Sequence, residues 1–134
     1  MAAETVQMEL NKIILSDGED QQIIVLKEVD GERTFPIIIG DREAREIDRR
    51  LKQIPTQRPM THDLLATVIE EMGGTIDHIA INSLENHTFY AQIHIRQNGH
   101  VIEIDSRPSD AIAVGAATTV PIFVAQQVFD ELRG

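Results

Sequence analysis

The sequence has no cysteine and no tryptophan, and its 134 residues include one tyrosine and four phenylalanines. The absence of cysteine excludes a disulfide framework, a thiolate zinc site and a cysteine nucleophile, and it fits a reducing compartment. Few aromatic side chains are available for stacking on nucleobases. Apolar runs reach about four residues, far fewer than a membrane span needs. A chain of this length is expected to form one domain whose core needs no covalent staple.

Basic residues are also scarce, with 12 Lys and Arg against 22 Asp and Glu and a formal net charge of −10. Such a chain repels a polyanion at long range unless its arginines are focused in one place or cations bridge the gap. The first ten residues, MAAETVQMEL, lack the basic and apolar regions of a secretory signal. We therefore expect a cytoplasmic protein with no membrane segment.

Polar and apolar residues alternate in the first part of the chain, as they do in half-buried strands. Residues 6–39 predict three strands joined at Asp17-Gly18 and Asp30-Gly31, dipeptides that favour type I′ hairpin turns. Pro36 cannot donate a hydrogen bond to a neighbouring strand. The third strand is therefore expected at a sheet edge or at a bulge.

Helical spacing follows in two segments separated by the proline-containing loop 55–59. The first predicted helix covers 41–54 with Asp41 as its cap, and the second covers 61–74 with Thr61 as its cap. The apolar stripe of the second helix consists of Leu64, Leu65, Val68, Ile69 and Met72.

The second part of the chain repeats this plan. Three further strands are predicted within 76–105, with turns at Glu85-Asn86 and Asn98-Gly99, then a helix from about Ser109, a strand at 121–124 and a helix at 125–132.

Shifting the first part by about 68 residues superimposes turns on turns and helix starts on helix starts, which suggests pseudo-repeats at about 5–72 and 74–133. We predict a single α+β domain over residues 1–134, made of two β-meander-plus-helix halves that share one core.

Three segments place polar residues where a strand or loop runs into a helix: IGDREA (39–44), RPMTHDLL (58–65) and DSRPSDAIA (105–113). Helix N-termini present unpaired N–H groups and a partial positive charge, which suit phosphate or carboxylate. Arg58 or Arg107 could bind such an anion through its planar guanidinium. Alternatively, each arginine pairs with a carboxylate or a helix C-terminus elsewhere.

The first turn of the second helix carries the most distinctive candidate, His62. The helix dipole favours a neutral imidazole there, which can act as a base, bind a metal or donate a hydrogen bond. Asp63 either takes part in the site or is merely the acidic residue of the first turn. The four other histidines show no metal-ligand spacing and are expected on the surface or in hydrogen bonds: His78, His87, His94 and His100.

Four acids, Glu43, Asp63, Asp105 and Asp110, could hold Mg²⁺ or Mn²⁺ if the fold brings the helix ends together. Alternatively, Ser109 and Asp110 only cap their helix. No organic cofactor is expected, because no Walker loop, dinucleotide fingerprint or G-x-S-x-G motif is present.

The motifs R-P-x-T-H-D-L and D-x-R-P-S-D-A-I-A, with IGDREA before them and PIFV after them, resemble the bifunctional nuclease family of bacteria and plants, whose domain is described as acting on RNA and DNA. The chain departs from many members after Ala113, where Val114 and Gly115 replace a leucine and a basic residue. Together with the helix-start geometry, the resemblance implies catalytic roles for His62, Asp63, Asp105 and Asp110, substrate-binding roles for Arg58, Arg107 and Ser109, and metal binding by Asp105, Asp110 and Glu43.

Two functions remain open at this point. The first is a nuclease that hydrolyses RNA and DNA without sequence specificity. The second, favoured by the charge of −10, is a non-catalytic module that binds a small anionic ligand or a protein partner. A homo-oligomer is expected, because Pro36 marks an exposed sheet edge and several strand faces need cover.

Overall fold

Two β-meanders lie side by side in one seven-stranded sheet in the computed structural model, which describes residues 4–134. Residues 1–3, part of the stretch considered for a targeting signal, lie outside the described residues. The strands are β1 (Thr5–Ile14), β2 (Gln21–Glu28), β3 (Thr34–Gly40), β4 (Thr75–Glu85), β5 (Thr88–Gln97), β6 (His100–Ser106) and β7 (Ile122–Ala125). The helices are α1 (Asp41–Leu51), α2 (Thr61–Glu71), α3 (Pro108–Gly115) and α4 (Gln126–Arg133).

The short strand β7 joins the two meanders, in the order β3-β2-β1-β7-β4-β5-β6. Ile122 of β7 pairs with Met8 in an antiparallel ladder on one side and with Ile79 in a parallel ladder on the other. All other neighbours are antiparallel. The α+β class is confirmed. The pseudo-duplication is not confirmed, since β7 follows α3 whereas α2 follows α1.

The core lies on one face of the sheet, beneath the helices. Alternate residues of each central strand point to it, so Ile24 and Leu26 of β2 are 0% exposed. Phe129 of α4 meets Phe35 of β3 edge-to-face, with ring centroids 5.6 Å apart. On the opposite face, which carries Ile38 at 64% exposure, side chains are half-buried or exposed.

The turns correct parts of the hairpin prediction. Asn98-Gly99 forms the predicted two-residue turn, with positive φ at both positions. The type I′ prediction for Asp30-Gly31 is wrong, because neither residue has positive φ and the connection spans 29–33. At Asp17-Gly18 only Gly18 has positive φ. The turn between β4 and β5 lies at Asn86-His87, one residue later than the predicted Glu85-Asn86.

The predicted helix caps are wrong by one residue. Asp41 and Thr61 are the first helical residues, and the capping positions are Gly40 and Met60. Asp41 does not cap because its carboxylate accepts hydrogen bonds from Gln22 Nε2 (2.8 Å) and Arg45 Nε (2.9 Å).

Three further predictions concern the strand of Pro36, the apolar stripe of α2 and the absence of a membrane segment. Pro36 does lie in an edge strand, β3, as predicted. The apolar stripe of α2 is largely exposed, because within it only Ile69 packs against the core. Among the described residues, no helix is long and apolar enough to cross a membrane.

Candidate active site

The first turns of three helices meet at one groove of about 830 Å³. Helix α1 contributes Glu43 and Glu46, α2 contributes His62, and α3 contributes Asp110 with Arg107 just before it. The first meander ends in α1 and the second ends in α3, so the sheet brings together segments that are far apart in sequence. The N-termini of these three helices add a partial positive charge to the groove, although several carboxylates line it.

His62 is the centre of the groove. Its Nε2 lies 2.9 Å from Asp110 Oδ1, and its Nδ1 lies 3.7 Å from Glu46 Oε1. The ring is 13% exposed, and Nδ1 is a buried atom without a hydrogen-bond partner among residues 4–134. The imidazole is therefore held between two carboxylates, and one of its two nitrogens has capacity for a further bond.

Arg107 holds Asp110 from the open side of the groove. Its Nε and Nη2 donate to the two oxygens of Asp110 at 2.8 and 3.1 Å, and Nη2 also reaches Glu43 Oε2 at 3.4 Å. Burial acts to raise the pKa of Asp110, but hydrogen bonds from Arg107 and His62 outweigh it and hold this pKa below 3.8. Asp110 is thus kept ionised, while the Arg107 side chain stays 63% exposed and can meet an anion.

Two arginines of α1 fix the elements behind the groove. Arg49 donates to both oxygens of Glu46 at 3.0 and 2.6 Å, and these hydrogen bonds lower the pKa of Glu46 against the opposing effect of burial. Arg49 Nη2 also donates to Asp63 Oδ2 at 2.9 Å. Glu46, facing His62, therefore keeps its charge and its position.

Arg50 is buried, with 7% of its side chain exposed, and it connects three helices. It forms an ion pair with Asp63 of α2, and it donates to the carbonyl oxygens of Ala113 (2.6 Å) and Val114 (3.0 Å) at the end of α3. A cation is well placed against the negative end of a helix. Arg50 thereby places a positive charge at the C-terminal end of α3.

The residues predicted for the site are partly brought together. Five of them line the groove: Glu43, His62, Asp105, Arg107 and Asp110. Asp63 lies next to His62 in sequence but is directed to Arg49 and Arg50, and it accepts the Met60 N–H at 3.0 Å as an acidic first-turn residue does.

Two predicted substrate-binding residues lie elsewhere. Arg58 is exposed in the loop before α2, with no ion-pair partner within 4 Å in the described chain. Ser109 is 5% exposed and does not line the groove. Arg107 is therefore the arginine of the two that faces the His62 groove.

The carboxylates as they stand do not fit a divalent-cation site. Within residues 4–134, no three His, Asp or Glu side chains are arranged to hold a metal ion. Glu43 and Asp110 are paired with Arg107, and Asp63 is paired with Arg49 and Arg50. The arrangement favours proton transfer and anion binding by side chains.

Sequence reasoning missed Glu46, Arg49 and Arg50. A signal for Arg50 was present, since it follows Ile47 by three residues and so lies on the apolar face of α1. A charged residue on such a face needs a partner, which here is Asp63. The spacing of Glu46, Arg49 and Arg50 is also the spacing of neighbours on one side of a helix.

Known proteins match most of this chain. A model of the bifunctional nuclease domain matches residues 24–133. An uncharacterized protein of Mycobacterium tuberculosis strain H37Rv is 34% identical over 116 residues, which cover 87% of this chain and 69% of that protein. Bifunctional nuclease 1 of Oryza sativa subsp. japonica is 27% identical over 118 residues, and Bifunctional nuclease 1 of Arabidopsis thaliana is 25% identical over 114 residues. These matches cover 85% and 82% of this chain, and 36% and 35% of the plant proteins. Because the family model matches residues 24–133, which are most of the chain, the chain belongs to the bifunctional nuclease domain family.

Proposed function

We propose that this groove hydrolyses phosphodiester bonds of RNA and DNA without sequence specificity. The carrying observation is the hydrogen bond between His62 Nε2 and Asp110 Oδ1, in a groove entered by three helix N-termini. The names of the plant relatives, bifunctional nucleases, support the substrate class. The cytoplasm remains the predicted cellular location of the protein.

In the proposed reaction, His62 and Asp110 together accept a proton from water and return a proton to the leaving oxygen. Water attacks phosphorus, its proton passes to the imidazole–carboxylate pair, and the bond from phosphorus to the leaving oxygen breaks as that oxygen takes a proton back. General acid–base catalysis of this kind contributes about 10²–10⁴ in rate. No residue is oxidised or reduced, and no step uses a metal ion.

Arg107 binds the phosphate in this proposal. Its guanidinium is already at the mouth of the groove, and turning from Glu43 to a phosphate oxygen replaces one anion by another. Asp110 then remains paired with His62, so the general base is preserved when substrate binds. An arginine that stabilises the charge of the transition state acts on kcat as well as on KM.

The charge of the groove limits how nucleic acid can bind. Arg42 and Arg107 are the basic residues that line it, against Glu43, Glu46 and the aspartates. Few phosphate contacts predict a shallow salt dependence, with a slope of log K against log salt of about −2. Contacts to the backbone alone carry no sequence information, so cleavage without a preferred base sequence is expected.

The test is cleavage of fluorescent single-stranded RNA and DNA by the purified chain, with EDTA in one arm and Mg²⁺ or Mn²⁺ in others. His62→Ala and Asp110→Asn are expected to lower the rate about 10²–10⁴-fold. The matched control is His100→Ala, which removes an exposed histidine at the start of β6. A rate that depends on added Mg²⁺ would contradict the metal-free form of the reaction.

Equal rates for His62→Ala and His100→Ala would remove the catalytic assignment. If the wild-type chain cleaves nothing while phosphate or mononucleotides raise its melting temperature, the non-catalytic anion-binding module is the better description. A ligand at about 100 times its Kd stabilises by about 2.7 kcal/mol, which a thermal shift detects readily.

A further inference from the structure

Helix α2 presents an exposed row of apolar side chains, which we call the α2 ridge: Met60, Leu64, Val68 and Met72. These residues recur every four positions, and their exposures are 46%, 55%, 43% and 70%. No residue of α2 is buried. Packing on this chain's own core therefore does not explain the apolar character of the ridge.

The ridge belongs to a larger apolar surface. Leu65, 40% exposed, and Ile104 of the edge strand β6, 43% exposed, line one groove together with Met60 of the ridge. The largest apolar patch on a typical monomer covers about 300–600 Å². Two patches at the upper limit of that range bury about 1,200 Å² together, which reaches the range of specific interfaces.

The charges around the α2 ridge would be complementary between two antiparallel copies, because the basic end of one ridge would meet the acidic end of the other. Arg58 lies six residues before Leu64, in the loop that leads into α2, and Glu71 lies seven residues after it, on the same face of the helix. Within residues 4–134, none of Arg58, Glu70 and Glu71 forms an ion pair, and the last turn of α2 contains no basic residue. Arg58 and Glu71, one basic and one acidic residue without an ion-pair partner among residues 4–134, thus lie at opposite ends of the α2 ridge.

We propose that the α2 ridge packs against the same ridge of a second copy of this chain, antiparallel about a twofold axis at Leu64. Residues four apart form a ridge that fits into the matching groove of a second helix. Met60 then faces the partner's Val68, and Arg58 lies near the last turn of the partner's α2, where Glu71 is on the ridge side. A twofold interface needs a surface that is complementary to itself, and the reversed charges supply one.

The interface borders the His62 groove. Met60 and Leu65 line that groove as well as the apolar surface, so the second copy covers one of its walls. The proposal does not depend on nuclease activity, because it is read from oligomeric state.

The first test is sedimentation velocity of the purified chain over a range of concentrations. The wild type is expected at twice 15.0 kDa, and Leu64→Glu is expected to raise the dimer Kd about a hundredfold or more, because it places two carboxylates at the axis. The matched control is Ile38→Glu, at 64% exposure on β3, which should remain dimeric. Far-UV circular dichroism confirms that each variant is folded.

The second test exchanges the charges. Arg58→Glu is expected to weaken the dimer about tenfold, as is Glu70→Arg combined with Glu71→Arg. The variant with all three changes should regain most of the lost affinity, which a merely structural defect would not. A wild type of 15.0 kDa at about 100 μM, dissociation by Ile38→Glu, or no recovery in the triple variant would each overturn the proposal.

Discussion

Replacing Arg50 by methionine is expected to cost the protein about 3–5 kcal/mol of stability, the range found when one partner of a buried ion pair is removed. The side chain is 7% exposed, and its loss leaves the carbonyls of Ala113 and Val114 without their donor. Asp63 keeps Arg49 as a partner at 2.9 Å, so its charge is not left alone. The expected cost therefore lies nearer the lower limit of this range.

Urea and thermal unfolding at one fixed protein concentration measure this cost. For a chain of 134 residues, about 3 kcal/mol corresponds to a fall in Tm of about 10 °C. The matched control is Arg45→Met, which removes an arginine of the same helix whose side chain is 49% exposed and whose pair with Asp41 is worth about 1 kcal/mol or less.

The double variant Arg50→Met with Asp63→Asn separates the ion pair from the hydrogen bonds to α3. If the pair contributes, the two changes together should cost less than the sum of the single costs. Equal costs for Arg50→Met and Arg45→Met would refute the view that Arg50 ties the three helices together.

Three further outcomes are expected. Gly74→Ala should lose about 1–3 kcal/mol in urea unfolding, since its new Cβ would lie 2.8 Å from Ile95 Cγ2. Burial, and secondarily the neighbouring His78, hold the pKa of His94 below 6.5. The contribution of a neutral His94 to stability is therefore full above pH 6.5 and is lost as the pH drops through that lowered pKa. His94→Gln should reduce this loss of stability between about pH 7 and 5. Leu26→Ala, at a position 0% exposed, should cost about 2–5 kcal/mol and lower the urea midpoint with an unchanged slope.

Periodicity was sufficient to predict both meanders and all four helices. Residue alternation depends on which face a strand buries, and that local signal is strong in a sheet with one covered face. Pro36 also located its strand at an edge, because a missing N–H donor has a direct structural meaning. The position of β7 could not be predicted, since a strand of four residues carries too little pattern to select its neighbours.

The sequence predicted which segments form the candidate site. It did not predict which hydrogen bonds and ion pairs their side chains form. Helix starts identified His62, Arg107 and Asp110, which do share one groove. The direction of the Asp63 side chain depends on Arg49 and Arg50, whose tertiary contacts are not visible in sequence spacing. Ionic partners of this kind are chosen by the packing of whole helices.

The location of β7 has a consequence for how this protein is made. During synthesis the first meander leaves the ribosome long before Ile122–Ala125, and until then the edges formed by Met8 and Ile79 have no strand between them. Unpaired edges are where nascent chains aggregate or bind the wrong strand. A nascent chain ending before β7 would hold two separate antiparallel blocks, and the single sheet would form only when that late segment is inserted between them.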